Sequence, residues 1–536
     1  MPIRRQISSR VEQLLNFERL AVLAMAAVCL LAVAEVIDYY PRTFFPRFWD
    51  EGIYSSEAAI PDAISAPFTP GRVKYGPMKL GYALPLRGAY LLFGGNGFMY
   101  LSTLAWLTSI LIVAVGVYRR IGKLEGWFVA AFLAYSSLYG KFIAEAGPTL
   151  LAAAMLSLLW ATYGWRRIWV TGPILGLLGF VDPKWILPSA MAIALIEGVI
   201  ESARPWGERV RFLAGVALLS VSVTAVTAIV HPPYWEYLQD YAIRHGRAGG
   251  LEASAIFGYY LWIFGAAPAG LAAGAGLIVA PSHISRRLGS ARMRSVLHAV
   301  VLCGIPLLFY SLFGPLKGLR FFAVPFPLFA VPVAVGVVGF ALWIRERLTG
   351  FRVVGNRLAA VTLPLLMAGL LVVQSEGPAR HLGLSTGISK CMAKVAREYG
   401  REGTISSYIW PVVFTRWGGE TEKPPFTPWG LLPTDEWLIL IPMLDRVTIE
   451  GRILTGDDAI DPAAEWRLQR QVLHTVTDSL FSFPAEFYSS DYHLCEQTVL
   501  GIGVLRRWRE VSRQTDSVAT VYRVDREKSQ MRFGWK

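Results

Sequence analysis

The chain has 536 residues, of which 54% are hydrophobic and 17% charged, and its mean hydropathy is +0.42. Soluble domains carry about 25% charged residues, so the composition excludes a soluble globular protein and points to many membrane spans. The net charge of +13 does not mark a nucleic-acid binder, because the basic residues recur in short clusters between apolar runs, as in cytoplasmic loops, and form no single patch.

Taken in chain order, the N-terminus carries Arg4, Arg5 and Arg10 ahead of the apolar run Leu20 to Val36. No small-residue cleavage site follows, so the run reads as a retained helix rather than a cleaved signal. With a cytoplasmic N-terminus, a first span over about 18–40 leads to an outer loop over about 41–97. Within that loop, 78–93 contains Pro85 and Arg87 and ends at Gly94-Gly95-Asn96-Gly97. If it crossed, the basic segment Arg119-Arg120-Ile121-Gly122-Lys123 would fall outside, so it reads as a helix at the outer interface.

The second span then covers about 98–118, and further spans follow over about 126–143, 148–164, 168–181, 184–200, 212–230, 255–280, 296–313, 320–343 and 357–374. This arrangement places the Lys/Arg clusters Trp165-Arg166-Arg167, Arg204 to Arg211, Arg286 to Arg294 and Arg345 to Arg352 inside. His231 to Ala253 reads as an outer loop. Spans 168–181 and 184–200 are short against the roughly 20 residues a crossing needs. Residues 376–536 mix polar and apolar segments. Lys390 to Tyr399 reads as an amphipathic helix, and Ile405 to Ile409, Trp437 to Ile441 and Val518 to Tyr522 read as strands. The expected fold is a polytopic all-α membrane protein of about eleven transmembrane helices, residues 1–375, with a soluble extracytoplasmic α/β domain.

The unusual polar residues then collect on the outer side. Phe48-Trp49-Asp50-Glu51-Gly52-Ile53-Tyr54 holds two adjacent carboxylates just past a membrane helix, where ionisable groups are functional candidates by default. Arg72 and Lys74 share that loop. Glu145 lies at the outer end of the third span, Asp182 and Lys184 at the next outer tip, and His231, His245 and Arg247 in the loop after it. Lys317 precedes the last inward span and Arg320 starts it. Singly, each cation reads as a snorkelling side chain. Together they offer a carboxylate to take a proton and cations to hold an anion. No Asp-x-Asp and no His/Cys cluster occurs, so no metal cofactor is expected, although Asp50 and Glu51 could share a divalent cation. Cys29 and Cys303 lie in apolar runs as packing residues. Cys391 and Cys495 could pair in an oxidising compartment, which the sequence does not decide.

Three of these segments resemble the GT-C glycosyltransferases, and most closely the protein O-mannosyltransferase and aminoarabinose-transferase-like branch. Asp50-Glu51 followed by Gly76-Pro77-Met78-Lys79-Leu80-Gly81-Tyr82 resembles that family's acidic pair and Pro-containing interfacial helix. Gly176 to Lys184 resembles its Gly-rich span ending in Lys-Pro, here with Pro183 and Lys184 in reversed order. Lys317 to Pro327 resembles its Lys-x-x-Arg-Phe segment before a Pro-containing span. The resemblance covers roughly residues 20–375. One departure stands out: many relatives carry a second Asp after the third span, where this chain has Thr149, with Glu145 as the substitute.

The resemblance implies an inverting transfer of a sugar from a polyprenyl-phosphate donor to a lipid, glycan or protein acceptor outside the membrane. Asp50 would be the general base and Glu51 its neighbour in orienting the acceptor. Lys317, Arg320 and Lys184 would hold the lipid phosphate, and Tyr54, Arg72, Lys74, Glu145, His231, His245 and Arg247 would line donor or acceptor. The alternatives are a lipid-linked-sugar transporter or flippase, for which the chain shows no inverted repeat, and another membrane enzyme of cell-envelope assembly.

Overall fold

The computed structural model describes residues 17–38, 54, 75–94, 97–144, 147–245, 268–313, 323–349 and 352–374, and four strands between 405 and 525. The described residues are mostly helical. Helix α1 is Phe17–Asp38, and α2 is Leu80–Phe93, preceded by the single turn Tyr75–Met78. Next come α3, Gly97–Arg120, and α4, Lys123–Ala134, then α5, Thr149–Tyr163, and α6, Ile168–Val181. After a 3-10 turn at Pro183–Trp185, α7 is Ile186–Leu195 and continues as a π turn over Ile196–Ile200. The remainder are α8, Trp206–Val230, α9, Pro232–His245, α10, Pro268–Val279, α11, Pro281–Phe313, α12, Phe326–Thr349, and α13, Arg352–Gln374.

Among the described residues, six stretches are long and apolar enough to cross a membrane: Phe17–Ile37, Gly97–Arg120, Pro183–Ile200, Trp206–Val230, Pro281–Tyr310 and Phe326–Leu348. Each overlaps an expected span, although Pro281–Tyr310 also takes in the basic segment Arg286 to Arg294 expected between two spans. Shorter apolar helices occupy Thr149–Tyr163, Ile168–Val181, Ala269–Val279 and Ala359–Val372. The core forms around α12, which packs against α4, α10, α11 and α13. Its close seam with α10 depends on glycine. A Cβ on Gly276 would lie 2.3 Å from the Gly336 carbonyl oxygen, and one on Gly336 2.6 Å from that of Ala273. Small residues at such crossings let backbones touch where lipid offers no hydrophobic drive for association. By contrast α8, which packs along α6, exposes Leu218, Val221, Ile229 and Val230. An apolar face open to its surroundings is what a lipid-facing helix requires.

Two expectations are corrected. The segment 126–143 is not one continuous helix: α4 ends at Ala134, and a turn Ser137–Gly140 and a 3-10 turn Lys141–Ala144 follow. Ser136 causes the break, because its hydroxyl accepts the Tyr139 backbone N–H (3.2 Å) and so caps a new turn. The expected loop after His231 is instead helix α9 as far as His245. Pro232 and Pro233 suit a first turn, where their missing N–H groups cost nothing. Tyr234 and Tyr237 are buried on one face while Trp235 is exposed. The helix expected over 78–93 forms as α2, in which Leu80, Tyr82, Ala83 and Leu86 are buried while Leu84, Leu91, Leu92 and Phe93 are exposed.

One end of the bundle is basic and carries buried ion pairs. Glu197, fully buried, accepts from Tyr163 and from Arg166 (2.5 Å). Glu201 pairs with Arg204 (2.7 Å) and His298 (3.1 Å), and Glu125 pairs with Arg287. Arg120 donates to the Trp160 carbonyl (2.9 Å), and Arg345 lies over the Phe17 ring. Buried charges persist only when paired in this way. The helix ends α1 Phe17, α3 Arg120, α5 Tyr163 and α12 Arg345 therefore meet at one level.

The four strands β1, Ile405–Ser407, β2, Trp437–Leu440, β3, Glu486–Thr498, and β4, Arg513–Asp525, form one sheet of order β1-β2-β4-β3. β1 runs parallel to β2, and the other pairs are antiparallel, with Leu438 opposite Tyr522 and Asp491 opposite Val521. Cys495 lies in β3 opposite Ser517. Cys391, the helix expected at Lys390 to Tyr399 and the boundary near 375 lie outside the described residues.

Candidate active site

The opposite end of the bundle holds a buried polar cluster built from four elements. The turn Tyr75–Met78 and α2 are joined at Lys79, whose backbone (φ −125°, ψ 51°) interrupts the helix and turns the side chain inward. Lys79 is buried between Met78 and Leu80. Its Nζ donates to the Tyr54 hydroxyl (2.6 Å) and lies 3.5 Å from Asp182 Oδ1. The Tyr54 ring packs edge-on against Tyr82, with centroids 5.3 Å apart. Asp182 ends α6, its N–H bonded to the Leu178 carbonyl (3.0 Å) and its own carbonyl accepting the Trp185 N–H (3.1 Å). The approach of α2 to α6 needs Gly81, where a Cβ would lie 2.6 Å from the Phe180 ring and 2.9 Å from the Val181 nitrogen.

The next turn faces α11. Tyr310 donates its hydroxyl to the Lys184 carbonyl (2.6 Å), and its ring packs on Trp185 with centroids 4.7 Å apart. Helix α9 closes this region from another side: Tyr234 packs with Leu80 and Ala83, against Phe180. His231 joins α8 to α9. Its Nε2 is enclosed and has no hydrogen-bond partner among the described residues, and burial holds its imidazole below the usual histidine range. A second group lies deeper. Glu35, buried in α1, accepts from the Tyr135 hydroxyl (3.3 Å), and the Ser109 and Tyr139 hydroxyls are 2.5 Å apart.

Of the residues expected at the site, Tyr54, Lys184 and His231 are placed at this end of the bundle. His245 closes α9. Asp50, Glu51, Arg72, Lys74, Glu145, Arg247, Lys317 and Arg320 lie outside the described residues. The structure adds Lys79 and Glu35 as buried charges at the same end, and it shows that Asp182, already singled out at the outer tip, is buried with them. Both additions had a visible signal: a lone Lys between Met78 and Leu80, and a lone acid inside the first apolar run. The pairing of Lys79 with Asp182 had none, since 103 positions separate them. No group of three or more His, Cys, Asp or Glu side chains suited to a metal occurs among the described residues.

No protein-family model and no curated protein matches this sequence. Among solved structures, the chain is similar to ArnT from Cupriavidus metallidurans bound to undecaprenyl phosphate, with 12% identity and a TM-score of 0.52 over 93% of this chain and 97% of that one. The apo state of the same ArnT matches equally well. The Archaeoglobus fulgidus oligosaccharyltransferase in complex with Zn and sulfate matches at 12% identity and a TM-score of 0.44, over 80% of this chain and 70% of that one. The ArnT likeness, running through nearly the whole of both chains, shows that this chain has the fold of the GT-C glycosyltransferases, as its three motif segments imply.

Proposed function

We propose that the protein is an integral-membrane inverting glycosyltransferase that moves a sugar from a polyprenyl-phosphate donor to an acceptor on the outer side of the membrane. The observation that carries this reading is the fold shared, over 93% of the chain, with an ArnT bound to undecaprenyl phosphate. The buried polar cluster of Tyr54, Lys79 and Asp182 supports it, because a bundle in lipid keeps charges only where they are paired or used. In this reading the four shorter apolar helices and the segment that begins with α4 complete about eleven crossings, the N-terminus is cytoplasmic, and residues 376–536 form an extracytoplasmic α/β domain that meets the acceptor.

The reaction needs three things from the protein. Asp50 takes the proton of an acceptor hydroxyl as its oxygen attacks the anomeric carbon. The bond from that carbon to the phosphate oxygen breaks with inversion, and polyprenyl phosphate leaves with the electron pair. A phosphate leaving group requires charge stabilisation rather than a proton, and Lys317, Arg320 and Lys184 are assigned to supply it where water is excluded. Glu51 orients the acceptor. Tyr54, Arg72, Lys74, Glu145, His231, His245 and Arg247 are assigned to contacts with donor or acceptor. The chemistry draws on no metal, and Asp50 with Glu51 would be the place for a divalent cation if one takes part.

The test is transfer by the purified full chain in lipid nanodiscs, using a panel of undecaprenyl-phosphate-linked sugars and an extract of cell-envelope acceptors. Asp50→Asn keeps shape and hydrogen bonding but removes the base. Turnover is expected to fall at least about a hundredfold, the low end for general-base catalysis, with undecaprenyl phosphate binding retained. Glu51→Gln is expected to cost less. Full activity in both variants would sink the assignment, and donor translocation without any glycosyl product would make the protein a flippase.

A further inference from the structure

The basic end of the bundle carries two kinds of arginine. Arg166, Arg204, Arg287 and Arg294 each pair with a buried glutamate. Arg167, Arg209 and Arg211 have no acidic partner among the described residues, and they gather where α6 and α8 begin. Arg167 stands over the Trp169 ring at 5.2 Å and Arg209 over the Trp206 ring at 5.1 Å. Arg209 also donates to the Glu197 carbonyl (2.9 Å), and Arg211 to the Gly207 carbonyl one turn back (3.2 Å). These acceptors are neutral. They hold the guanidinium groups in place and leave their positive charge uncompensated. The exposed Glu208 is the acid nearest in sequence, and against three arginines it leaves the group positive.

The packing of α6 on α8 brings these residues together. Ile168 fills a notch at Gly215, where a Cβ would lie 2.6 Å from its Cγ2. Gly172 meets Leu219 and Gly176 meets Val223 in the same way, at 2.7 Å each, so the two helices run side by side in one register. Arg211 comes one turn before Gly215 on the same face of α8, and Arg167 comes immediately before Ile168. Both cations therefore stand at the end of this crossing. The Arg166 guanidinium, 4.7 Å from the Phe212 ring, marks the same level.

The surface around the crossing is apolar and open. Trp165, Trp169 and Trp206 are 58%, 64% and 70% exposed, whereas Trp106, Trp160 and Trp185 of the interior are fully buried. Further along the same two helices Leu177, Leu218 and Val221 are exposed as well. Indole rings settle at the boundary between acyl chains and headgroups, and the arginine fork binds phosphate oxygens. An apolar wall that runs into a cationic rim matches a phospholipid better than a soluble anion, because the tail follows the wall and the phosphate meets the rim.

We propose that the crossing of α6 and α8 at the basic end is a binding surface for an anionic phospholipid of the surrounding bilayer. Arg167 and Arg211 meet the phosphate, and Trp169 and Trp206 seat the glycerol and the upper acyl chains. Arg209 is a fixed cation beside them. The surface lies at the end of the bundle opposite Tyr54, Lys79 and Asp182, and it stands independently of the glycosyltransferase reading.

Native mass spectrometry of the full chain in a neutral detergent tests this. The probes are phosphatidylglycerol, phosphatidylcholine with the same acyl chains, and inorganic phosphate. The wild type should prefer phosphatidylglycerol to phosphatidylcholine. Arg167→Gln and Arg211→Gln should each weaken phosphatidylglycerol binding about fivefold, the effect of one basic side chain beside an anionic headgroup, and leave phosphatidylcholine binding unchanged. Trp169→Ala should weaken both lipids, since it removes the seat that they share. The positions are exposed, so melting temperatures should match the wild type, and either arginine variant alone carries the test if the other is unstable. The control is the double variant Arg286→Gln/Arg347→Gln, which removes two exposed cations from α11 and α12 and should keep the preference. An equal loss in the control would show a diffuse attraction of the whole basic end and overturn the proposal. So would a wild type without preference. Displacement of phosphatidylglycerol by millimolar inorganic phosphate, with Trp169→Ala unaltered, would make this a site for free phosphate and overturn the lipid assignment.

Discussion

At the residue scale, the cations of the donor side invite the sharpest test. Lys317 and Arg320 are three positions apart, so on a helix both would face one anion. Arg320→Ala is expected to weaken undecaprenyl phosphate binding about tenfold or more, because it removes a charge-assisted hydrogen bond where water is scarce, while insertion and melting stay unchanged. Unaltered lipid affinity would rule the role out. His231 gives a pH signature. Burial lowers its folded pKa below the unfolded value of about 6.5. A group lowered on folding contributes stability that is present above its unfolded pKa and lost as pH falls through the folded one. Detergent-solubilised protein should therefore melt at a lower temperature as pH drops below about 6.5, and His231→Asn should flatten that part of the profile. A parallel drop in the variant would assign the acid sensitivity elsewhere.

At the element scale, the seam between α10 and α12 is set by backbone contact. Gly276 and Gly336 face each other with no room for a methyl group between the helices. Gly336→Val should separate the two helices and lower stability by about 1–3 kcal/mol, as overpacking does. A melting temperature lower by several degrees would show it, and an unchanged one would mean that the seam slides to accommodate the side chain. The basic end predicts a second effect. Burial raises the Glu201 carboxyl, but the hydrogen bond from Arg204 and the charges of His298 and Arg294 outweigh it and hold it below the usual range. Its stabilising share is thus present above pH about 4.3 and lost as pH falls further. Glu201→Gln should remove that acid-sensitive component.

At the scale of the whole molecule, the arrangement makes a claim about sides. The basic helix ends around Arg120, Arg166, Arg204 and Arg287 meet at one end, and Tyr54, Lys79 and Asp182 lie at the other. In the proposed topology the excess of Lys and Arg puts the first end in the cytoplasm. In a cysteine-free background, a membrane-impermeant thiol reagent applied to intact cells should label Glu450→Cys and leave Lys123→Cys untouched. Lys123 is an exposed position at the start of α4, so its silence would reflect sidedness rather than burial. The reverse pattern would invert the topology and with it the outward-facing site.

Sequence alone determined where the long helices run, because an apolar run of about 20 residues has one stable fate in lipid. Five of the six long spans were legible as continuous runs of this kind, and the sixth, Pro183–Ile200, as a shorter one. The α2 segment was legible from Pro85 and from the charge bias beyond it. The break after Ala134 and helix α9 were not, since a single capping serine and a mixed polar face of 14 residues are weak signals against an apolar background. Of the site, single residues could be read: an acid after the first span, a basic pair before a late one, and the Asp182–Lys184 tip. Which of them meet could not. Lys79, Asp182 and Tyr54 come together because α2 folds back on the end of α6, and the approach is permitted by the missing side chain of Gly81. Composition and charge order a membrane chain along the bilayer normal, where the solvent changes sharply. Within the plane of the membrane the solvent is uniform, and the neighbours of each helix are decided by packing alone.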